Sequence, residues 1–216
     1  MSVWLNTAFY GFDNLIFNSM HGLAKAAGGF FTPFFTFITF FGEKGLFFIV
    51  LSVILLLFKN TRKIGLTMLV AIGLGALMTN VIIKNAVARP RPYAASEEYF
   101  SFNQFVGGRR ESEFSFPSGH VTVTMTAMTA LFFSASKKWS WVGFIFTFLM
   151  GLSRIYLVVH YATDVVGAII VGLVAGVIAF YIVKGVYKIL QKNTEKGFCK
   201  FMLTADLIKA IKKKNK

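Results

Sequence analysis

Long apolar stretches dominate this chain, and short polar turns separate them. Five of the stretches reach the length of about 20 residues that a membrane-spanning helix needs. The pattern therefore predicts an all-α fold, a polytopic membrane helix bundle. The five predicted spans run roughly from Thr32 to Phe58, Ile64 to Lys84, Pro117-Ser118 to Ser136, Trp139 to Val159, and Thr163 to Val186.

The N-terminal segment, residues 1–30, has a weaker apolar pattern. Apolar residues recur at helical spacing between Phe12 and Ala27, whereas Asp13, Asn14 and Asn18 fall elsewhere. This spacing predicts an amphipathic helix that lies on the membrane surface, with a sixth, short span as the alternative. Because these polar residues interrupt the segment and no basic residue precedes it, we expect no signal peptide.

The composition supports a membrane protein, with 56% hydrophobic and only 15% charged residues. A formal net charge of +14 would suggest a nucleic-acid partner in a soluble protein. Here the basic residues gather mainly on one side of the predicted bundle, which argues against that partner. The single Cys199 excludes an internal disulfide and is expected to be an inert or cytoplasmic thiol.

The distribution of Lys and Arg predicts the orientation of the bundle. Short loops that are rich in these residues face the cytoplasm in membrane proteins. We therefore expect a multi-pass protein of the cell membrane whose loop 85–116 is extracytoplasmic. The basic, cytoplasmic side consists of the turn at residues 59–63, the turn Lys137-Lys138 and the segment after Lys184.

The chain divides into the interfacial segment 1–30, a membrane domain over residues 31–190 and a Lys-rich cytoplasmic tail over residues 191–216. The tail ends in Lys212-Lys213-Lys214-Asn215-Lys216 and either binds anionic inner-leaflet lipid or is simply solvated. The long loop 85–116 lacks clear periodicity, which is typical of a lid or a binding loop. Its Glu residues are interpreted as balancing Arg109 and Arg110.

Three polar clusters lie where predicted apolar helices end, and the predicted topology brings all three to the same outer side. Ionisable groups near membrane depth are costly, so their coincidence on one side favours a functional site. His21, by contrast, has no such partners and is predicted to be structural. The clusters are Lys84 with Arg89 and Arg91, then Pro117-Ser118-Gly119-His120, then Ser153-Arg154 with His160 and Asp164.

The residue types in these clusters suit a phosphate group. Arg91 and Arg154 offer planar forks that match phosphate oxygens, and Lys84 adds a point charge. Ser118 begins a helix whose first N–H groups are unpaired, and Gly119 lets an anion approach the backbone closely. Together these features predict a phosphate-binding cradle.

Two histidines supply candidate chemistry at this cradle. His160 and Asp164 are four residues apart, so a continuing helix puts them on one face. A carboxylate on one ring nitrogen leaves the other nitrogen free to attack, and His120 is placed to protonate the departing oxygen. The spacing favours His160 as the nucleophile without proving it. Two His and one Asp among three cations make a poor site for a divalent metal ion, so no metal is expected.

At these residues the sequence resembles the type 2 phosphatidic acid phosphatase (PAP2) family, whose site is similar to that of vanadium haloperoxidases. The resemblance rests on Lys84 through Arg91-Pro92, on Pro117-Ser118-Gly119-His120, and on Ser153-Arg154 followed by His160 and Asp164. Any one part is a weak signal, but three in this order and at these spacings are specific. The similarity covers roughly residues 30–185. Many bacterial members have a six-helix plan, whereas five spans are predicted here.

The resemblance implies a role for each residue. Lys84, Arg91, Ser118, Gly119 and Arg154 would bind the phosphate. His160 would attack phosphorus to give a phosphohistidine, Asp164 would orient it, and His120 would protonate the leaving group. Water would then hydrolyse the intermediate without a metal or another cofactor. Arg89, in a second Arg-Pro, is a candidate accessory residue, as are Ser153 and Pro117.

The leading functional hypothesis is therefore a phosphatase that acts on a lipid phosphate or diphosphate of the membrane. Undecaprenyl diphosphate is the first choice because an extracytoplasmic site suits recycling of that carrier, and phosphatidylglycerol phosphate and phosphatidic acid follow. A lipid phosphotransferase on the same fold is the alternative. A non-catalytic lipid-binding protein is disfavoured because no catalytic position is replaced. Gly172 and Gly176 are predicted to form a helix-packing surface.

Overall fold

Helices account for the regular structure in the computed structural model, which describes residues 1–207 and Ile211. No strand occurs within those residues, so the predicted all-α class is confirmed. The basic end of the tail, residues 212–216, lies outside the described residues. The helices are α1 (Ser2–Ala8), α2 (Tyr10–Ala26), α3 (Thr32–Phe40), α4 (Leu46–Leu57), α5 (Arg62–Ala76), α6 (Lys84–Val87), α7 (Glu97–Phe105), α8 (Gly119–Ser134), α9 (Lys137–Ser140), α10 (Val142–Tyr156), α11 (Ala162–Lys192) and α12 (Gly197–Thr204).

The centre of the bundle is formed by α5, α8 and α11, which pack closely on one another. Small residues permit this approach. A Cβ placed on Gly172 would lie 2.6 Å from Met125 Cβ, and one on Gly176 would lie 2.6 Å from Thr129 Cβ. Both neighbours belong to α8, so the prediction that this glycine pair is a helix-packing surface is confirmed.

Three stretches among the described residues are long and apolar enough to cross a membrane: Thr32–Leu57, Arg62–Ala94 and Ala162–Lys192. Helix α8 has 16 residues and α10 has 15, which is short for a full span, so the number of five spans stays a prediction. Large apolar side chains on α11 are exposed, including Ile170 at 58% and Ile189 at 64%. Contact with lipid accounts for such exposure.

The first predicted span is not one continuous helix, which corrects the expectation for Thr32 to Phe58. It breaks between α3 and α4, where Lys44 has φ of 49° and Gly45 has φ of 68°. The break lies against the start of α8: a Cβ on Gly42 would be only 2.7 Å from His120 Cδ2. Glycine at position 42 therefore allows the broken segment to reach His120, and it brings Glu43 with it.

The long loop 85–116 is also more ordered than its sequence suggested. It contains α7, which begins after Ser96, whose Oγ accepts a hydrogen bond from Tyr99 N at 3.2 Å. Phe102 on α7 is 2% exposed and packs in a buried apolar cluster that includes Val158 and Val159. The loop is therefore docked on the turn that carries His160. The missed signal was Ser96 followed by two acidic residues, a common helix start.

A helix occupies the N-terminal segment as α2, and its place on the membrane surface stays a prediction. One of its polar residues, Asp13, turns out to be buried. Phe12 and Leu15 are exposed at 44% and 64%, whereas Asp13 is buried at 5% together with Phe17. Asp13 therefore points into the protein rather than away from the packed face. His21 packs against the ring of Phe102 at 3.9 Å between ring centroids, in line with its predicted structural role.

Candidate active site

The ends of several helices meet around one cavity of about 820 Å³. The predicted convergence of the polar clusters is therefore observed. Ser118, Arg154 and Asp164 do not line the cavity but are completely buried beside it, each at 0% exposure. The residues that line it include Gly42, Glu43, Lys84, Arg91, Glu111, Glu113, Gly119, His120 and His160.

His160 lies in the turn between α10 and α11, and both of its ring nitrogens have partners. Nδ1 is 3.3 Å from Asp164 Oδ2, and Nε2 is 3.0 Å from Arg91 Nη1. Because Arg91 is a donor only, Nε2 is the acceptor and Nδ1 carries the proton that goes to Asp164. This tautomer, assigned from the hydrogen bonds, puts the lone pair of the imidazole on Nε2, where it accepts from Arg91.

The protonation state of His160 follows from its surroundings. Burial lowers the pKa of His160 well below its usual range, and the charges of Arg91 and Arg154 add to that effect. The imidazole is therefore neutral at neutral pH, as a nucleophile has to be. Asp164 is held by a further donor, Tyr161 N at 2.9 Å, so its carboxylate is oriented independently of His160.

Lys84 and Arg91 bring the first cluster to the cavity. A Cβ on Gly119 would lie 3.9 Å from Lys84 Nζ, so the ammonium group faces the start of α8. Lys84 pairs with the carboxylate of Glu113, and Arg91 Nε donates to the Glu113 carbonyl at 2.8 Å. Arg91 Nη1 also donates to Val159 O at 2.9 Å, which ties it to the His160 turn.

Arg154 is the deepest cation of the site. Its Nη1 donates to Thr39 Oγ1 at 2.5 Å, and its Nη2 pairs with the carboxylate of Glu111. Burial alone would raise the pKa of the Glu111 carboxyl, but the guanidinium of Arg154, more than any other group, lowers it to about 2. Glu111 is therefore ionised at neutral pH and neutralises Arg154. The earlier interpretation, that loop acids balance only Arg109 and Arg110, was incomplete.

His120 faces the cavity from the first turn of α8. Its Nε2 is 3.7 Å from the carboxylate of Glu43, which also pairs with Arg109. An imidazole nitrogen that faces the cavity is placed to exchange a proton with a ligand bound there. The break between α3 and α4 is therefore the feature that places an acid beside the candidate proton donor.

Several buried polar atoms at the site lack a hydrogen-bond partner in the part of the chain that the structure describes. They include Ser118 Oγ, His120 Nε2 and Arg154 Nε, one from each of three predicted site residues. Buried polar groups are almost always paired, and an unpaired one calls for an explanation. Two of these atoms are donors, and the third is a donor when the imidazole is protonated, so an anionic ligand would satisfy all three.

The three accessory candidates do not reach the cavity as phosphate ligands. Arg89 is 1% exposed, and all of its nitrogens are used, since they donate to Asn6, Asp13, Thr163 and Asp164. The direct assistance to phosphate proposed for Arg89 is therefore not supported. Ser153 Oγ donates to Met150 O at 2.7 Å within its own helix, and Pro117 only leads into Ser118.

Reasoning from sequence missed four acids that surround the predicted residues: Asp13, Glu43, Glu111 and Glu113. Glu43 had a usable signal, because an ionisable residue inside a long apolar run is a functional candidate by default. The other three acids had no such signal, because their positions in the sequence do not indicate which cation each one contacts in the folded chain.

Known proteins resemble this chain in sequence and in fold. The sequence pattern of the PAP2 superfamily matches residues 64–188. The undecaprenyl-diphosphatase of Sulfolobus acidocaldarius is 31% identical over 122 residues, which cover 56% of this chain and 56% of that protein. The alignment thus spans little more than half the length of that relative.

Two solved structures have a similar fold. The crystal structure of Aquifex aeolicus LpxE superposes with a TM-score of 0.63 at 26% identity and covers 80% of this chain and 94% of that one. A transmembrane PAP2 type phosphatidylglycerolphosphate phosphatase from Bacillus subtilis has a TM-score of 0.55 at 25% identity and covers 86% of this chain and 96% of the other. The matched segment contains Lys84, Arg91, His120, His160 and Asp164. On this evidence, the chain belongs to the PAP2 superfamily.

Proposed function

We propose that the protein is a membrane phosphatase that cleaves a phosphate ester or anhydride of a lipid, with His160 as the nucleophile. The observation that carries this proposal is the set of unpartnered buried atoms of Ser118, His120 and Arg154, three residues in or beside the cavity that a neutral His160 lines. An anion in that cavity would lie next to Lys84 and Arg91, two of the cations that line it.

The reaction has two displacement steps. His160 Nε2 attacks phosphorus while the bond from phosphorus to the leaving oxygen breaks, and His120 gives its proton to that oxygen. Water then attacks the phosphohistidine, the phosphorus–nitrogen bond breaks, and the proton of the water passes to His120. Inorganic phosphate leaves and both histidines regain their starting forms. The cations stabilise the charge on the transferring group throughout.

Two carboxylates compete with phosphate for the cations of the site. Glu111 pairs with Arg154, and Glu113 pairs with Lys84. A phosphate group offers those cations the same kind of charge-assisted hydrogen bond, with more oxygens and more charge. The substrate therefore competes with the loop for its binding site.

The membrane setting and the relatives support a lipid phosphate as the substrate. We favour undecaprenyl diphosphate, the substrate implied by the name of the Sulfolobus relative, and rank phosphatidylglycerol phosphate and phosphatidic acid next. The excess of basic residues on the opposite side of the bundle supports an extracytoplasmic site and a cytoplasmic C-terminus.

The first prediction concerns phosphate release. Purified protein in detergent is expected to release inorganic phosphate from undecaprenyl diphosphate faster than from phosphatidylglycerol phosphate or phosphatidic acid. His160→Ala should lower release by about a thousandfold or more, and His120→Ala by roughly a hundredfold or more, because they remove the nucleophile and the proton donor. A colorimetric phosphate assay measures both.

His21→Ala is the matched control, since this histidine packs against Phe102 outside the cavity. It should keep the wild-type rate. No phosphate release from any of the three lipids across several pH values would overturn the hydrolase proposal. Transfer of phosphate to an acceptor lipid without free phosphate would establish the phosphotransferase instead.

The second prediction concerns the competition between Glu111 and the substrate. Glu111→Gln should lower KM roughly threefold to tenfold, because Arg154 no longer has a charged partner that phosphate must displace. Since the pKa of Glu111 is about 2, its carboxyl is ionised from about pH 4 upward, so the difference should persist between about pH 5 and 9. Glu97→Gln, an exposed acid on α7, is the control. An unchanged or higher KM in Glu111→Gln would refute the competition.

The third prediction concerns orientation. In a Cys199→Ser background, Ser101→Cys on α7 should react with a membrane-impermeant maleimide added to intact cells. Lys138→Cys, exposed in the turn that includes α9, should react only after the membrane is permeabilised. The reverse labelling pattern would place the site on the cytoplasmic side.

A further inference from the structure

Behind His160 lies a line of buried charges that continues out of the active site into the N-terminal helix. Arg89 Nη1 donates to Asp164 Oδ1 at 2.6 Å, and Arg89 Nη2 donates to Asp13 Oδ2 at 2.7 Å. Exposure is 0% for Asp164, 1% for Arg89 and 5% for Asp13. Asp13 thus joins α2 to the catalytic pair, although position 13 lies outside the matched segment 64–188.

Asp13 is held in this position by more than Arg89. Its Oδ1 accepts from Thr163 N at 2.8 Å, and its carboxylate also accepts from Thr163 Oγ1 at 2.8 and 3.0 Å. Thr163 directly precedes Asp164 in the first turn of α11, where backbone N–H groups lack partners within the helix. Arg89 in turn stacks on the ring of Tyr161, with Cζ at 3.8 Å from the ring centroid.

The net charge of Asp13, Arg89 and Asp164 determines how strongly Asp164 can stabilise a cationic His160 ring. When His160 attacks phosphorus its ring becomes cationic, and a negative charge behind Nδ1 stabilises that form. Arg89 alone would cancel the charge of Asp164, because the two form a close, buried ion pair. Asp13 cancels Arg89 in its turn, so the trio of Asp13, Arg89 and Asp164 keeps one net negative charge.

We propose that Asp13 is a positioning residue of the reaction, which acts through Arg89 to keep a net negative charge behind His160. This inference rests on the proposed phosphatase function. It assigns α2 a part in catalysis beyond a place on the membrane surface. It also explains why Arg89, which has no free nitrogen for phosphate, is buried beside the site.

Asp13 also makes a structural contact with the start of α11. A structural role there and a charge effect through Arg89 predict different results for substitution of Asp13. Its hydrogen bond from Thr163 N supports the start of α11 and does not involve Arg89, whereas the Thr163 hydroxyl contacts both Asp13 and Arg89. A purely structural role through the backbone N–H would therefore make Asp13→Asn equally harmful whether or not Arg89 is present. A role through charge makes the effect of Asp13→Asn depend on Arg89, because only Arg89 creates the charge that Asp13 has to cancel.

A double-mutant cycle separates these roles. The wild type, Asp13→Asn, Arg89→Gln and the double variant are assayed in detergent with whichever of undecaprenyl diphosphate, phosphatidylglycerol phosphate or phosphatidic acid the wild type hydrolyses. Asp13→Asn should lower kcat roughly tenfold to a hundredfold and change KM less than about twofold, because the phosphate ligands are intact. In the Arg89→Gln background, Asp13→Asn should change kcat less than about threefold, since the net charge is again negative.

Thermal unfolding and size exclusion in detergent test whether each variant is folded at the assay temperature. Glu97→Gln, an exposed acid on α7, controls for the loss of an acidic side chain. If Asp13→Asn alone does not fold, the small effect of Asp13→Asn in the Arg89→Gln background still has to hold. Equal losses of kcat in both backgrounds, or a loss in KM alone, would overturn the inference and leave the phosphatase function standing. A wild type that releases no phosphate from any of the three lipids would overturn both.

Discussion

Three buried cations, Lys84, Arg91 and Arg154, share one end of the helix bundle, and their charge determines how the rest of the site is built. A buried charge without a partner is strongly destabilising, so each cation requires acceptors within reach. The chain supplies them from its irregular segments: Glu111 and Glu113 come from the long loop. Burial and, after it, the charge of the same cations lower the pKa of His160, so the imidazole beside them is neutral.

The balance of charge also separates the two histidines into different roles. His160 faces Arg91 through one nitrogen and Asp164 through the other, an arrangement that keeps Nε2 without a proton. His120 lies at the start of α8, with the carboxylate of Glu43 beside its Nε2. Two chemically identical side chains thus have different neighbours, which suits them to different proposed roles. The trio behind His160 extends this arrangement to α2, which brings Asp13 to the opposite side of Arg89.

Much of the fold and the core of the site could be predicted because they depend on local patterns. The long apolar runs predicted the helices. The four-residue spacing of His160 and Asp164 predicted that these two side chains are in contact. Alternation of the spans across the membrane was enough to bring Lys84, His120 and His160 together. These inferences need only helix geometry and the sidedness of a bilayer.

The parts that escaped prediction depend on tertiary contacts. Glu111 and Glu113 are no different in sequence from solvated loop acids until the loop folds back over Arg154 and Lys84. The break at Gly42 was hidden in an apolar run because its cause, close approach to His120, lies in another helix. Asp13 lay off the apolar stripe of its helix, and nothing in the sequence indicated that it would be buried against Arg89.

The central claim is that His160 forms a covalent bond to phosphorus, and trapping that intermediate tests it most directly. Protein is mixed with a lipid substrate labelled with radioactive phosphorus and quenched within milliseconds in alkali, which preserves a phosphorus–nitrogen bond. The labelled peptide is then identified by mass spectrometry. We expect label on the peptide that contains His160, and none in His160→Ala. Label on a different residue, or label that survives His160→Ala, would contradict it.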